Sequence, residues 1–283
     1  MKHLGKMFKR EVTDFYPYNM LARGTSPYLM RFGAALRELF YEPGRYTKPP
    51  ANRKFLKGRY AHLQLTPRTW KMLESNGDLP KDRHIHTKGD RWWMSHCLKS
   101  KKVREEYHIK THWKIILIGS RGAGMFNHSD SLRTSSWHGH VEGRKYWIVC
   151  SGVRSGNPEC FESILHAGEI LYYGKDWFHT TQNIDTPTTT ITGTLVLQNQ
   201  FDAVGQMLYK ECTEETLNFR FSEKLCNAID MCLELWHKRF TGVELSREMM
   251  PPWKDVASEE VLRTKRAIKP EHNNYDGRNF IGE

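Results

Sequence analysis

Two residues two positions apart, His128 and Asp130, have the types and the spacing of metal ligands. Because side chains at i and i+2 of a strand project to the same face, both would point to one side of a sheet. A third ligand must come from elsewhere, and His179 follows a strand-like run and a turn. Two imidazoles and one carboxylate leave three positions of an octahedral iron free, whereas a closed structural zinc site needs a fourth protein ligand. The pattern therefore predicts an open metal site.

The order of the motifs around these residues is more specific than the residue types. The stretches "HSD", "WHGHVEGRKYW", "AGEILYYGKDWFH" and "TTTIT" follow one another over roughly residues 115–200. In this third of the chain the sequence resembles the Jumonji-C branch of the cupin superfamily, nearest its arginine-demethylase and lysyl-hydroxylase type. Members of that family are iron(II)- and 2-oxoglutarate-dependent oxygenases. The resemblance implies that His128, Asp130 and His179 ligate Fe(II).

The resemblance also assigns residues to the co-substrate, 2-oxoglutarate. The family's strand motif matches Trp137, Gly143, Lys145 and Trp147, and the lysine of that motif binds the distal carboxylate of 2-oxoglutarate. A buried ammonium is costly unless an anion arrives to pair with it, so a dicarboxylate suits Lys145. The hydroxyl of Thr192, in "TTTIT", matches a second partner of the same carboxylate.

Three features depart from the family's pattern. His138 stands where many relatives have an asparagine, and we expect it to hydrogen-bond the co-substrate or to change the surroundings of the metal. Met125 and Phe126 precede the first ligand where relatives have small or hydroxylated residues. The interval from Asp130 to His179 is shorter than in most relatives. The catalytic core is therefore predicted to be kept, whereas substrate recognition is predicted to differ.

Most of the remaining histidines are expected to be ordinary surface or core residues. His140 shares a strand face with His138, and for it a role beside the metal ligands and plain packing both stay open. His84 and His86 also have the spacing of strand ligands, but no carboxylate accompanies them in a recognisable frame.

The reaction implied by the resemblance is the oxidation of a C–H bond. Iron(II) binds 2-oxoglutarate, O2 takes an open position, and oxidative decarboxylation gives succinate, carbon dioxide and an oxidant that hydroxylates the substrate. If the target carbon is an N-methyl group, the hydroxylated product collapses and demethylation follows. A protein or peptide side chain is the expected substrate, and RNA is the alternative.

Short runs rich in β-branched and aromatic residues indicate the elements that position these side chains. The runs "YAHLQL", "WKIILIGS", "YWIVCSG", "EILYYG" and "TTTITGTLVLQ" are separated by Gly, Asn, Asp and Pro, as in a sandwich or barrel. Together with the resemblance, they predict a mainly β core, a double-stranded β-helix of the jelly-roll or cupin type over residues 58–204. An N-terminal helical and irregular segment (1–57) and a C-terminal helical region (205–283) would flank it.

Start signals predict the positions of the flanking helices. The stretch "SPYLMRFGAALRELF" opens on Ser26 and Pro27 and continues with apolar residues at helical spacing. In the C-terminal region, Thr213 and Ser258 are capping candidates followed by glutamates. These C-terminal helices could pack against the barrel or pair two subunits into a homodimer.

Charge and cysteine content bound the partners and the compartment. The 43 Lys and Arg against 32 Asp and Glu give a net charge of +11, which favours an acidic partner such as nucleic acid, although a generally basic surface is the simpler interpretation. No run of about 18 apolar residues is long enough to cross a bilayer, so we expect no membrane association and an intracellular protein, nuclear or cytoplasmic. Six scattered cysteines without a C-x-x-C pair predict reduced, mostly buried thiols.

Three functions compete on this sequence. The first is a 2-oxoglutarate-dependent hydroxylase or demethylase. The second is a catalytically inactive Jumonji-C-like module that binds a protein or nucleic acid, suggested by His138 and the net charge. A cupin-type isomerase or dioxygenase that does not use 2-oxoglutarate is disfavoured, because Lys145 and Thr192 would then have no role. The sequence favours the first.

Overall fold

The computed structural model describes residues 2–17, 27–46, 58–79, 96–130, 132–151, 159–197, 200–213 and 221–240. The strands within these ranges are, in chain order, β1 (Val12–Tyr16), β2 (Tyr28–Arg31), β3 (Tyr60–Gln64), β4 (Lys114–Gly119), β5 (Gly124–His128), β6 (Ser135–Glu142), β7 (Lys145–Cys150), β8 (Cys160–Leu165), β9 (Ile170–Tyr173), β10 (Phe178–Asn183) and β11 (Thr188–Leu195). The helices are α1 (Lys2–Met7), α2 (Phe32–Phe40), α3 (Pro67–Ser75), α4 (Lys101–Lys110), α5 (Phe201–Thr213) and α6 (Glu223–Phe240).

The strands form two antiparallel sheets whose order identifies the fold. The larger sheet has the order β2-β1-β3-β4-β11-β6-β9, and the smaller has the order β5-β10-β7-β8. If β4 is counted as strand one and β11 as strand eight, the barrel part of the larger sheet has the order 1-8-3-6. The smaller sheet then has the order 2-7-4-5. This nested order is that of a jelly roll, so the predicted double-stranded β-helix is confirmed.

Burial explains why the central strands of the larger sheet are so rich in β-branched residues. Nearly every residue of β11 is buried, as is most of β4, because one face of the sheet is turned to the interior of the barrel and the other is covered by helices. A cluster on the covered face joins strand residues Leu63, Ile116 and Ile191 to Phe32 of α2 and Trp70 of α3. Strands buried on both faces lack an alternation of apolar and polar residues, and β11 fills most of its positions with threonine.

The N-terminal segment differs from its prediction. The helix expected from Ser26 and Pro27 begins only at Phe32, and Tyr28–Arg31 form a strand that pairs with β1. β1 in turn pairs with β3, so both strands extend the larger sheet beyond the barrel. Pairing with another strand satisfies the backbone donors and acceptors that helix formation would otherwise satisfy, and this outweighs the local start signal. The domain boundaries at 57 and 204 stay predictions.

The C-terminal helices also begin elsewhere than predicted. Thr213 is the last residue of α5 and does not start a helix, and the next described helix begins at Glu223. The second capping candidate, Ser258, lies outside the described residues. Helices α4, α5 and α6 share an apolar cluster that includes Trp113 and Leu208. None of the described helices combines the length and the apolarity that crossing a bilayer requires.

The prediction of reduced thiols is wrong for this structure. The six cysteines are joined as three disulfides, Cys97–Cys232, Cys150–Cys160 and Cys212–Cys226. Cys150 and Cys160 are directly opposite each other on β7 and β8, and the other two pairs tie α6 to its neighbours. Sequence spacing alone does not show which cysteines the fold brings within bonding reach.

Candidate metal centre

The three predicted metal ligands converge at one edge of the smaller sheet. His128 is the last residue of β5 and stands opposite His179 of β10, with the two ring centroids 4.2 Å apart. Asp130 follows two residues after His128. One potential ligand atom from each of the three residues lies within 4.8 Å of the others. This His-Asp-His group could hold a metal ion.

A glycine allows the two ligand-bearing strands to approach. A Cβ atom at Gly124, the first residue of β5, would collide with the carbonyl oxygen of Thr181 on β10. Only glycine leaves room for that carbonyl, so this position sets the close pairing of β5 with β10. The opposition of His128 and His179 depends on the same pairing.

The hydrogen bonds of the two histidines leave their Nε2 atoms available to a metal. Nδ1 of His128 lies 2.8 Å from the carbonyl oxygen of Phe126, and Nδ1 of His179 lies 3.5 Å from that of Trp177. A carbonyl oxygen only accepts, so Nδ1 carries a proton in both rings, and the lone pair of the neutral ring is then on Nε2. Burial and the neighbouring His128 lower the pKa of His179 to about 4, which keeps its ring neutral. Neutral imidazoles oriented through Nδ1 are what metal ligation requires, so the donor set fits a metal.

Asp130 and His179 share a buried phenol that the sequence analysis did not identify. Oδ2 of Asp130 accepts a hydrogen bond from Ser136, and the hydroxyl of Tyr173 lies 3.2 Å from the same oxygen. That hydroxyl is also 3.2 Å from Nε2 of His179 and 3.0 Å from Nε2 of His138. Burial and the charge of Asp130 raise the pKa of Tyr173 well above its usual range, so the phenol stays protonated.

An ion pair connects the two loops that carry the ligands. Arg133 donates to both carboxylate oxygens of Asp176, over 2.8 and 2.7 Å. Arg133 lies three residues after Asp130, and Asp176 lies three residues before His179. A bidentate pair of this kind restricts orientation more than a single hydrogen bond does. It therefore holds the two loops in register.

Lys145 lies at the opposite end of the same cavity. Only 1% of this residue is exposed, and its Nζ atom donates to the hydroxyl of Tyr60 over 2.8 Å. The ammonium lies over the rings of Tyr60 and Trp147. Burial lowers the pKa of Lys145 to about 7, and no carboxylate among the described residues opposes that shift. The cavity thus contains a buried cation whose charge has no counter-ion in the described part of the chain.

Thr192 and His138 lie between this cation and the metal-ligand group. The Thr192 hydroxyl donates to the carbonyl oxygen of Trp137 over 2.8 Å and lies 3.3 Å from Nε2 of His138. Nδ1 of His138 is buried without a hydrogen-bond partner in the structure. Burial, followed by the charges of His179 and Lys145, lowers the pKa of His138 well below its usual range. Both Thr192 and His138 line the cavity that contains the metal-ligand group.

His140 has a partner of its own. Its Nε2 atom accepts from the indole nitrogen of Trp147 over 3.2 Å, and burial lowers its pKa to about 4. His140 thus hydrogen-bonds a buried tryptophan of the smaller sheet, and a role beside the metal ligands stays a hypothesis.

One cavity of about 410 Å³ brings the predicted site residues together. It is lined by all six of them: His128, Asp130, His138, Lys145, Thr192 and His179. Two residues of the same lining, Tyr60 and Tyr173, were missed by the sequence analysis. Strand alternation in "YAHLQL" signals that Tyr60 and His62 share a face, but it does not show that this face is turned to Lys145. His84 and His86 lie outside the described residues.

Comparisons with known proteins add little to this geometry. No family model matches the sequence, and no curated protein matches it. The cupin domain of Drosophila melanogaster CENP-C aligns at 11% identity over 29% of this chain and 59% of its own, with a TM-score of 0.26. The structure of that protein bound to CAL1 aligns at 10% identity over 29% and 63%, also with a TM-score of 0.26. KdgF from Halomonas sp. aligns at 15% identity over 28% and 64%, with a TM-score of 0.22.

Each of these alignments spans less than two thirds of the matched chain. At such TM-scores they support no statement about function. The assignment of the fold rests on the strand order of the two sheets.

Proposed function

We propose that this protein is an iron(II)- and 2-oxoglutarate-dependent oxygenase that hydroxylates a protein side chain, or demethylates one through hydroxylation. The observation that carries the proposal is a single cavity with an open three-residue donor set at one end and a buried, uncompensated lysine at the other. Iron bound there would supply the activation of O2, with 2-oxoglutarate oxidised to succinate and carbon dioxide as the substrate gains a hydroxyl group.

The chain's own residues would hold the metal and its co-substrate. His128 and His179 would ligate through Nε2 and Asp130 through a carboxylate oxygen, which leaves three octahedral positions for other ligands. The distal carboxylate of 2-oxoglutarate would pair with the Lys145 ammonium, with the Tyr60 hydroxyl beside it. Pairing with an anion favours the charged form of the lysine and offsets the cost of its burial.

His138 would contact the end of the co-substrate nearer the metal. The Tyr173 hydroxyl donates to Oδ2 of Asp130 over 3.2 Å and lies 3.0 Å from Nε2 of His138, from which it can accept. These contacts hold His138 beside the donor residues, and its ring lines the cavity together with them. The choice of a protein substrate rests on the resemblance alone.

The proposal is tested with protein reconstituted anaerobically with Fe(II). Bound iron is measured by elemental analysis, and succinate release is measured after 2-oxoglutarate and O2 are added. We expect about one iron per chain and succinate release, and loss of both in His128→Ala and Asp130→Ala. His166→Ala, which removes an exposed histidine outside the cavity, is the matched control. Equal succinate release by wild type and Asp130→Ala would refute the proposal.

A non-catalytic binding module is the second candidate. It is favoured by Tyr173, whose hydroxyl lies 3.2 Å from both Oδ2 of Asp130 and Nε2 of His179, so a protein group stands beside two of the three donors without a metal. This candidate expects no retained iron after reconstitution and a melting temperature that Fe(II) and 2-oxoglutarate leave unchanged.

A further inference from the structure

A second concave surface lies outside the barrel, between α3 and α4. This groove, of about 670 Å³, has five basic residues in its lining: Arg68, Lys71, Lys99, Lys101 and Arg104. All of them except Arg104 are exposed, and Glu105 is the one acidic residue that lines the groove within the described part of the chain. Cations thus stand on both walls of a channel.

The start of α4 adds to this positive field. Lys101 and Lys102 occupy the first turn of the helix, which holds no acidic residue, and Ser100 makes no side-chain cap. The N-terminus of a helix carries a partial positive charge, so cations there are unfavourable in the free protein. An anion bound between the two helices would relieve that repulsion.

The position of the groove relates it to the cavity. His108 of α4 lies 3.3 Å from the carbonyl oxygen of Leu65, two residues before α3. Both helices therefore join the larger sheet at the end where Gln64 and Ile115 are paired. Ile115 pairs with Thr192, and Thr192 pairs with His138, so these residues lie side by side across the sheet. Thr192 and His138 line the cavity with the metal-ligand group. The groove is thus at the end of the barrel that carries the metal ligands, away from the Lys145 end.

We propose that the α3–α4 groove binds a nucleic-acid strand through its phosphates. A channel with cations on both walls suits a linear polyanion, and interfaces with nucleic acid are more polar and more positive than those between proteins. A bilayer presents a flat surface, and among the described residues no large exposed apolar side chain lines the groove to insert into one. The inference concerns a surface separate from the cavity and does not depend on oxygenase activity.

The test is fluorescence anisotropy of labelled single-stranded RNA of mixed sequence, titrated with the full chain at several salt concentrations. Each phosphate contact contributes a slope of about 0.7 to the dependence of log affinity on log salt for single strands. Lys71→Glu with Lys101→Glu should weaken binding at least tenfold at low salt. It should also lower the slope by about 1.4, because two contacts are lost.

The control makes the same change in net charge elsewhere. Arg121→Glu with Lys224→Glu alters two exposed basic residues outside the groove. We expect this variant to bind RNA within about threefold of the wild type. The neutral pair Lys71→Gln with Lys101→Gln should give an intermediate loss, and circular dichroism should show that all variants are folded.

Two results would overturn the inference. Equal losses in the groove variant and in the control would show that binding follows net charge and not the groove. Displacement of the RNA by polyglutamate or by phosphatidylserine vesicles at matched charge concentration would assign the groove to an acidic protein or to a membrane.

Retention of stoichiometric iron by a groove variant that no longer binds RNA would support the inference, because it would show that the two sites are independent.

Discussion

Lys145 is the residue whose environment most restricts what the cavity can bind. It is the buried cation of a barrel interior, held by one phenol and two aromatic faces. A buried charge without a counter-ion destabilises the fold unless the group loses its proton. A buried lysine at position 145 is expected if an anion occupies the cavity in the functional protein.

Stability should therefore rise with pH above neutrality. The pKa of Lys145 is about 7 in the fold and 10.5 for the unperturbed group. Between these values the unfolded chain binds a proton that the folded chain does not. The free energy of unfolding should then increase by up to about 1.4 kcal/mol per pH unit over this window. Urea unfolding at pH 7, 8 and 9 measures the slope.

Lys145→Met isolates this contribution. The variant should be at least as stable as the wild type at pH 7, should lose the rise between pH 7 and 9, and should no longer bind 2-oxoglutarate. Lys175→Met, which changes a half-buried lysine in the turn before β10, should keep both properties. An unchanged pH slope in Lys145→Met would show that another group causes it.

Tyr173 distinguishes the two proposed functions. Its hydroxyl orients Asp130 and His138, and removing a hydrogen bond that orients a ligand typically weakens metal binding 10- to 100-fold. Tyr173→Phe should therefore lower Fe(II) affinity about tenfold, as measured by anaerobic titration. Tyr172→Phe is the control, because that hydroxyl contacts Ser135 and none of the three donors. Tighter metal binding by Tyr173→Phe would favour a site that works without metal.

At the scale of elements, antiparallel pairing of β5 with β10 positions the metal-ligand group, and disulfides attach α6 to its neighbours. Pairing places His128 opposite His179, and the ion pair of Arg133 with Asp176 connects the loops beside them. Helix α6 packs on α4 and α5 and is joined to α5 by Cys212–Cys226. The helical region is therefore attached by covalent bonds as well as by its apolar cluster.

Removing the α5–α6 disulfide should lower stability substantially. Cys212 and Cys226 are 14 residues apart, and closing a loop of about 15 residues restricts the unfolded chain by about 3 kcal/mol. Cys212→Ser with Cys226→Ser should lose about that much in urea unfolding under oxidising conditions. The loss should vanish when both proteins are compared in excess reductant. Free thiols at both positions in the untreated protein, found by mass spectrometry, would contradict the pairing.

At the scale of the whole molecule, the cavity connects the two sheets. The three donors and Lys145 belong to the smaller sheet and its loops, whereas Tyr60, His138 and Thr192 belong to the larger sheet. A metal bound to the donors alone contacts only one sheet. A co-substrate that reaches from the metal to Lys145 and Thr192 contacts both, so it should resist their separation.

Metal and co-substrate should accordingly stabilise the protein together. A ligand at 100 times its dissociation constant adds about 2.7 kcal/mol, which for a chain of this size raises Tm by roughly 5–10 °C. We expect Mn(II), used as an inert substitute for Fe(II), to give part of this shift and Mn(II) with 2-oxoglutarate to give more. Differential scanning fluorimetry measures both. A 2-oxoglutarate effect that persists in Asp130→Ala would show that it binds without the metal.

Much of the fold and the site can be read from local pattern. Runs of β-branched residues marked β3, β4 and β11. The strand expected to carry both His128 and Asp130 ends at His128, and Asp130 lies in the loop that follows. The motif order predicted that Lys145 and Thr192 would line the cavity with the metal ligands, and they do. The strands are predictable because their periodicity is a property of neighbouring residues, whereas the places of Lys145 and Thr192 were implied by the family resemblance.

Non-local pairing lies outside that pattern. No local signal in the sequence shows that Tyr60 contacts Lys145, which is 85 residues away. Tyr173 reaches Asp130 only because β9 pairs with β6. Strand β2 and the three cysteine pairs were mispredicted for the same reason. Packing of distant segments satisfies backbone hydrogen bonds and fills the core at the expense of local preferences. The three candidate metal ligands could thus be identified from the order of residues in the chain, whereas Tyr173 and Tyr60 reach Asp130 and Lys145 only because the two sheets fold onto each other.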